Sequence, residues 1–197
     1  MCSSDLLQRV GVSRFNRPRV VICVPSAITP VERRAVTEAC RRSGASDAQL
    51  IEQPLAAAIG ADLPIGEAFG SMVVDVGGGT SESAVLSLGG VVELEAVRIG
   101  SFDIDRAIQA HVRREYGLAI GERTAEEIKW TIGSAAETPG EGRAEVKGRE
   151  MMTGMPKTVI LTPAEIRNAI DDPVSAIVES VVSCPPKIGR ASCRERG

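Results

Sequence analysis

The run Ser71-Met72-Val73-Val74-Asp75-Val76-Gly77-Gly78-Gly79-Thr80 constrains this chain more than any other. A short apolar stretch reads as a strand, and here it stops at three consecutive glycines. Glycine takes positive φ without steric cost, so the turn can be tight. With no Cβ in the way, its N–H groups can close around phosphate oxygens as an anion nest. Asp75, at the strand tip, could hold Mg²⁺ through water, the usual mode for that cation. Thr80 could bond a phosphate oxygen or an attacking water. The pattern is not GxxxxGK[ST] and leads into no helix, so it is not a P-loop. Taken alone, the run fits a ligand-free glycine-rich hairpin loop equally well.

The surroundings read as α/β architecture. Val20 to Val24 is a continuous apolar run closed by Pro25, which suits a strand buried on both faces. Thr29 caps a helix with Pro30 in its first position and Glu32 completing a capping box. That helix should run to about Ser43 and stop at Gly44. Ala48 to Ile51 reads as a strand and Leu55 to Ala61 as a helix. After the glycine run, Ser83 to Leu88 and Val91 to Ile99 flank Gly89-Gly90 as a hairpin. Ile104, Ile108 and Val112 recur at spacing four, giving an amphipathic helix over 104–116. Thr124, with Glu127 three residues on, opens another helix to Ile132. A polar loop over 137–142 follows. Arg143 to Val146 and Thr158 to Leu161 read as strands around a turn at Thr153-Gly154. Thr162 with Glu165 opens a last helix towards Val182.

Composition narrows the function classes. Lys+Arg 23 against Asp+Glu 26 gives a net charge of −3, with aromatics at 3%. Neither a basic nucleic-acid footprint nor a base-stacking platform is present, so no nucleic-acid partner is expected. Five cysteines without a CxxC pair, and the single His111, do not make a zinc site. Cys23 and Cys40 read as small buried hydrophobes in a reduced, cytoplasmic setting. No apolar run reaches the length of a membrane span. His111 reads as a surface or half-buried helical residue without a chemical role. Trp130 reads as packing against its own lobe. Arg33-Arg34 and Arg41-Arg42 read as solvated helix faces.

The D-V-G-G-G-T run between two strands resembles the second phosphate motif of the actin, heat-shock chaperone and sugar-kinase superfamily. Ile51-Glu52-Gln53-Pro54-Leu55-Ala56-Ala57-Ala58-Ile59-Gly60 and Ile120-Gly121-Glu122-Arg123-Thr124-Ala125-Glu126-Glu127-Ile128-Lys129 resemble stretches of the MreB family of bacterial actin-like ATPases. Arg19 to Ile28 and Pro173 to Val178 do so too. The resemblance implies an actin-like (ribonuclease-H-like) α/β fold, present in part, with a small α+β subdomain. It divides the chain into the end of the first lobe's base (7–54), the second lobe's base with the phosphate loop (55–120), a small second-lobe subdomain (121–161) and a returning helix (162–187). It implies ATP and Mg²⁺ as cofactors, with Gly77, Gly78, Gly79 and Thr80 at the β- and γ-phosphates and Thr80 orienting water. Asp75 would serve Mg²⁺ through water. Glu126, Glu127, Ile128 and Lys129 would lie toward the adenosine, with Glu126 and Lys129 as polar contacts. Without the resemblance, those two are a solvated i,i+3 pair worth about 0.2–0.5 kcal/mol. Gln53 stands where the family usually carries a water-activating glutamate, which implies slow hydrolysis by orientation rather than by proton abstraction.

The resemblance further implies self-association into filaments, the cell-wall elongation machinery as partner, and a place on the inner face of the membrane that maintains rod shape. A non-polymerising actin-fold chaperone or metabolite kinase shares the glycine motif but not the 120–129 stretch. MCSSDL at 1–6 and IGRASCRER within 188–197 read as translated sequencing adapter. The family's first phosphate loop and second adenosine loop are not found here. The 197-residue chain is therefore expected to be a fragment that binds ATP weakly, if at all, and a non-functional truncated product is the remaining alternative.

Overall fold

The computed structural model describes residues 17–137 and 142–184. The adapter-like tails and most of the expected 137–142 loop lie outside these. The described chain forms two compact units, one of residues 17–75 with 82–96 and Cys184, the other of residues 76–81 with 97–183.

In the first unit β1 (Arg19–Val24) pairs in parallel with β2 (Asp47–Glu52), in the register Val20↔Ala48 to Val24↔Glu52. Helix α1 (Pro30–Arg42) connects them. Its start is local chemistry: the Thr29 N–H donates to Glu32 Oε2 at 2.7 Å, and the Glu32 N–H donates to Thr29 Oγ1 at 3.2 Å. Pro30 takes the first helical position, where no N–H is needed. Gly44 follows the last turn at φ +105°, a conformation costly for any residue with a Cβ. Helix α2 (Gln53–Gly60) follows β2 directly.

Two expectations for this region change. Strand β1 is not buried on both faces. Its exposure alternates, and Cys23 is exposed while Cys40 is buried at 1%. A strand places successive side chains on opposite faces, and among the described residues only one face of β1 is covered. Arg33 is not simply solvated either, since its guanidinium lies 3.3 Å from Glu52.

Strands β3 (Ser71–Val76), β4 (Ser81–Ser87) and β5 (Gly90–Val97) form a sheet in that order. The β4–β5 turn is Leu88-Gly89, at φ +52° and +79°, rather than Gly89-Gly90. Positive φ at both central residues is what a type I′ hairpin requires. The core of this unit is Ala58, Ala84 and Leu86, with Leu55, Val73 and Leu94 packed against it.

The second unit contains α3 (Ser101–Tyr116), β6 (Leu118–Ala119), α4 (Glu122–Ile132), β7 (Ala144–Glu150), β8 (Pro156–Leu161) and α5 (Pro163–Ser183). Strands β6, β7 and β8 form an antiparallel sheet. The helices bury Ile108, Val112, Ile128, Ile132, Ile166 and Ile170 against Leu118, Val146, Val159 and Leu161. Helix α3 begins at Ser101, three residues before the expected Ile104, because Asp103 Oδ2 accepts from the Gly100 N–H at 2.9 Å. Helix α4 begins at Glu122 with Gly121 as its cap, not at Thr124.

Two side chains sit on the other side of their helices from where they were expected. Trp130 is 78% exposed and does not pack against its lobe. Residues two apart on a helix do not share a face, and the buried face of α4 is carried by Ala125, Ile128 and Ile132. His111 is 8% exposed, because it shares a stripe with Ile108 and Val112. Its Nε2 has no hydrogen-bond partner among the described residues.

The end of α3 is fastened to the start of α5. Tyr116 Oη donates to Glu165 Oε1 at 2.5 Å, while Glu165 Oε2 accepts from the Thr162 N–H at 2.9 Å. The hydrogen bond to Glu165 pushes the Tyr116 phenol from 10.0 up to about 12, and the same bond holds the Glu165 carboxyl below its usual 4.5. A raised phenol stabilises the fold below its ordinary value and loses that contribution as pH rises towards about 12. A lowered carboxyl stabilises above its ordinary value and loses that contribution as pH falls. Tyr116→Phe is thus expected to cost about 1–2 kcal/mol at neutral pH, as for a partly exposed bond to a charged acceptor. The difference from the parent should shrink below pH ~4 and above pH ~10. Denaturant unfolding across that range checks it; a difference independent of pH would contradict the assignment.

A glycine loop braced by a helix start

The loop between β3 and β4 is closed by its own backbone. The Gly77 N–H donates to the Thr80 carbonyl at 2.8 Å. The loop carbonyls point the other way, toward α3: Ser101 N–H donates to Gly77 O at 3.0 Å and Phe102 N–H to Gly78 O at 2.8 Å. The first turn of a helix has free N–H donors, and here the loop uses two of them. Ser81 Oγ donates to Ile99 O at 2.8 Å and fixes the exit of the loop beside the entry to α3.

The approach is as close as backbone permits. A Cβ built on Gly100 would lie 2.6 Å from Gly77 O and 2.7 Å from Gly78 C. One built on Gly78 would lie 2.6 Å from the Phe102 ring. Gly79 meets nothing within 4 Å. The carbonyls of Gly77, Gly78 and Thr80 are occupied, while the N–H groups of Gly78, Gly79 and Thr80 meet no backbone acceptor in the loop contacts among the described residues. Such N–H groups on one loop are the chemistry of an anion nest.

Helix α4 adds a second group. Lys129 Nζ lies 2.6 Å from Ser101 Oγ and 2.8 Å from Asp105 Oδ1. The Asp105 contact is a charge pair by distance and falls outside hydrogen-bond angles. Lys129 and Asp105 side chains are 16% and 10% exposed, so the pair is shielded from water. Ile128 is 3% exposed within the core. Glu127 is exposed and pairs with Arg123 at 3.1 Å. Glu126 is exposed and lines a cleft of about 540 Å³ together with Phe102, Asp105, Arg106 and Gln109. The second unit thus brings Gly77 to Thr80 and Lys129 together through Ser101, and places Glu126 on a cleft walled by Phe102.

Asp75 is half-buried in β3 immediately before the loop. Gln53 opens α2 in the first unit and is half-buried. Among the described residues no group of three or more His, Cys, Asp or Glu gathers at metal-ligand distance. A lone Asp75 suits Mg²⁺ held mostly by water and phosphate, which is how that cation is usually bound.

Sequence reading missed three residues here. Ser101 and Asp105 were not singled out, although Gly100 followed by Asp103 at a strand exit is a helix-start signal. Glu82 was missed too. It is 2% exposed, and accepts from Ser26 N–H at 2.8 Å and from Ser26 Oγ at 3.2 Å. A carboxylate inside the buried run Ser81 to Leu86 was the available signal.

This arrangement of sheet, glycine loop and braced helix is part of an actin-like ATPase fold. It superposes on crystal structures of MreB5 of Spiroplasma citri, described as bound to AMPPNP and to ADP. The TM-scores are 0.84 and 0.85, with 31% and 30% identity over 94% of this chain and 58% of those chains. The chain belongs to the MreB/Mbl protein family, whose model matches residues 4–189. It is 48% identical to the cell shape-determining protein MreB of Escherichia coli (strain K12), over 97% of this chain and 56% of that protein. It is 39% identical to the cell shape-determining protein Mbl of Bacillus subtilis (strain 168), over 84% of this chain and 50% of that protein. The chain therefore spans about half the length of the curated relatives it matches.

Proposed function

We propose that this chain is the phosphate-gripping portion of an ATP-dependent, filament-forming protein that maintains cell shape. The braced glycine loop is the observation that carries this reading. Gly77 to Thr80 receive the β- and γ-phosphates, a reading supported by the N–H groups of Gly78, Gly79 and Thr80, which meet no backbone acceptor in the loop contacts among the described residues. Thr80 orients the attacking water. Asp75 holds Mg²⁺ through water, and the ion supplies neutralisation of phosphate charge. The nucleoside lies toward Glu126, where the cleft beside Phe102 offers an exposed aromatic edge and polar groups. Glu127, Ile128 and Lys129 support that side of the site.

The protein assembles with its own copies, works with the cell-wall elongation machinery and acts at the inner membrane face. No helix among the described residues is long and apolar enough to cross a membrane. In a full-length background, ATP with Mg²⁺ should drive concentration-dependent pelleting, and Gly100→Ala should raise the ATP concentration it needs by at least about tenfold. A full-length protein that binds ATP yet stays soluble at every concentration would remove the filament role.

Gln53 takes the water-orienting position. A glutamine can align water but cannot accept its proton, and alignment carries much of phosphoryl transfer. Gln53→Glu in the same background should speed phosphate release by up to about 100-fold, the low end of general-base effects. An unchanged single-turnover rate would take Gln53 out of the reaction.

A further inference from the structure

Glu82 is the only acidic residue of β4, and the proposed reaction leaves it without a task. It is 2% exposed and lies two residues after Thr80. A polar group taken out of water must be hydrogen-bonded, and Glu82 spends both oxygens on one residue. Its Oε1 accepts from the Ser26 N–H at 2.8 Å and its Oε2 from Ser26 Oγ at 3.2 Å. Ser26 is 56 residues away in sequence and follows the end of β1 by two residues. The bonds therefore join the β1–β2 sheet to the β3–β4–β5 sheet. Strand β1 pairs with β2 up to Val24↔Glu52, and Gln53 is the next residue. Ser26 and Gln53 thus follow the carboxyl ends of neighbouring parallel strands, the edge at which open α/β sheets place their ligands. Arg33 holds Glu52 at this same edge, at 3.3 Å.

We propose that Glu82 is a positioning residue for phosphoryl transfer. By holding Ser26 it fixes the end of the β1–β2 sheet, and with it Gln53, against β4, the strand that leaves the glycine loop. The task is geometric: one carboxyl group takes two donors of Ser26 at once and sets where the chain turns after β1. A shift of about 1 Å in a group that orients a reactant costs on the order of 100-fold in rate. A buried tie at this edge therefore acts on the chemical step. The proposal rests on the reading of Gly77 to Thr80 as the phosphate loop and of Gln53 as the group that orients water.

Single-turnover phosphate release from ATP, in a full-length background, tests it. Glu82→Met keeps the length of the side chain and removes both bonds, and it should slow release about tenfold. Glu82→Gln still accepts from the Ser26 N–H, and its amide can donate to Ser26 Oγ, so release should stay within about twofold of the parent. If Glu82→Gln slows release as much as Glu82→Met, the carboxylate itself is needed and the positioning role is overturned. In a Gln53→Ala background, Glu82→Met should slow release no further, because a residue that acts only through Gln53 then has nothing to position. Losses that add in the double variant would place the effect elsewhere and end the proposal. Should Glu82→Met fail to fold, Ser26→Ala decides in its place. It removes one of the two bonds and should slow release about threefold; an unchanged rate rejects the tie. A parent that hydrolyses no ATP overturns the phosphate-loop reading and this proposal with it. A parent that hydrolyses ATP, with Glu82→Met equally fast, overturns the proposal alone.

Discussion

Gly100→Ala is expected to weaken ATP binding by at least about tenfold in a full-length background, while Gly79→Ala leaves it within about twofold, where each tenfold is about 1.4 kcal/mol. The difference comes from what each new methyl meets. At Gly100 it meets backbone, with Gly77 O at 2.6 Å and Gly78 C and O at 2.7 Å. Backbone cannot rotate away, so either the loop or the start of α3 must move. Overpacking of this kind costs about 1–3 kcal/mol. Backbone strain is not the cause, since Gly100 has φ −154°, an extended value open to any residue. At Gly79 the methyl meets open space. Gly78→Ala should fall between, because the obstacle at 2.6 Å is the Phe102 ring, a side chain that can turn. Titration of ATP against the three variants reads the order directly. Equal losses at Gly79 and Gly100 would mean that the loop's seat on α3 does not govern the grip on phosphate.

Leu161→Ala is expected to destabilise the second unit by about 2–5 kcal/mol, the range for truncating a buried leucine. Its neighbour Ile160→Ala should cost under about 0.5 kcal/mol, as for an exposed site. Leu161 is fully buried among residues from α3, β6, α4, β7 and α5, whereas Ile160 is 57% exposed. The two are adjacent in β8, where Glu145↔Ile160 and Ala144↔Leu161 set the register with β7. A slip of one residue would exchange their faces. Denaturant unfolding of both variants therefore tests burial and register together. Similar costs for the two would contradict this register.

Much of the fold could be read locally. The Thr29 and Thr162 capping boxes are built from residues three apart, so sequence spacing alone fixes them. The end of β3, the glycine turn and the β4–β5 hairpin follow from glycine's freedom and strand patterning. The hairpin turn moved by one residue because Leu88 accepts a positive φ that only glycine was expected to take. The start of α3 was placed late because its cap is Gly100, which has no side chain to announce it. His111 and Trp130 were misplaced because their faces depend on which stripe of each helix meets the core.

The candidate site divides along the same line. The sequence by itself determined Asp75, the three glycines and Thr80, since a turn of bare backbone at a strand end is a local property. Tertiary structure decided how that loop is held. Ser101 and Asp105 lie 28 and 24 residues before Lys129, and no periodicity or cap links such positions. Only the packing of α4 on α3 brings a lysine to a serine and an aspartate out of water, where charge and hydrogen bonds must be satisfied together. The composition of the loop is a local choice of residues without side chains; its seat on α3 comes from the backbone donors of Ser101 and Phe102, which only the fold brings to it.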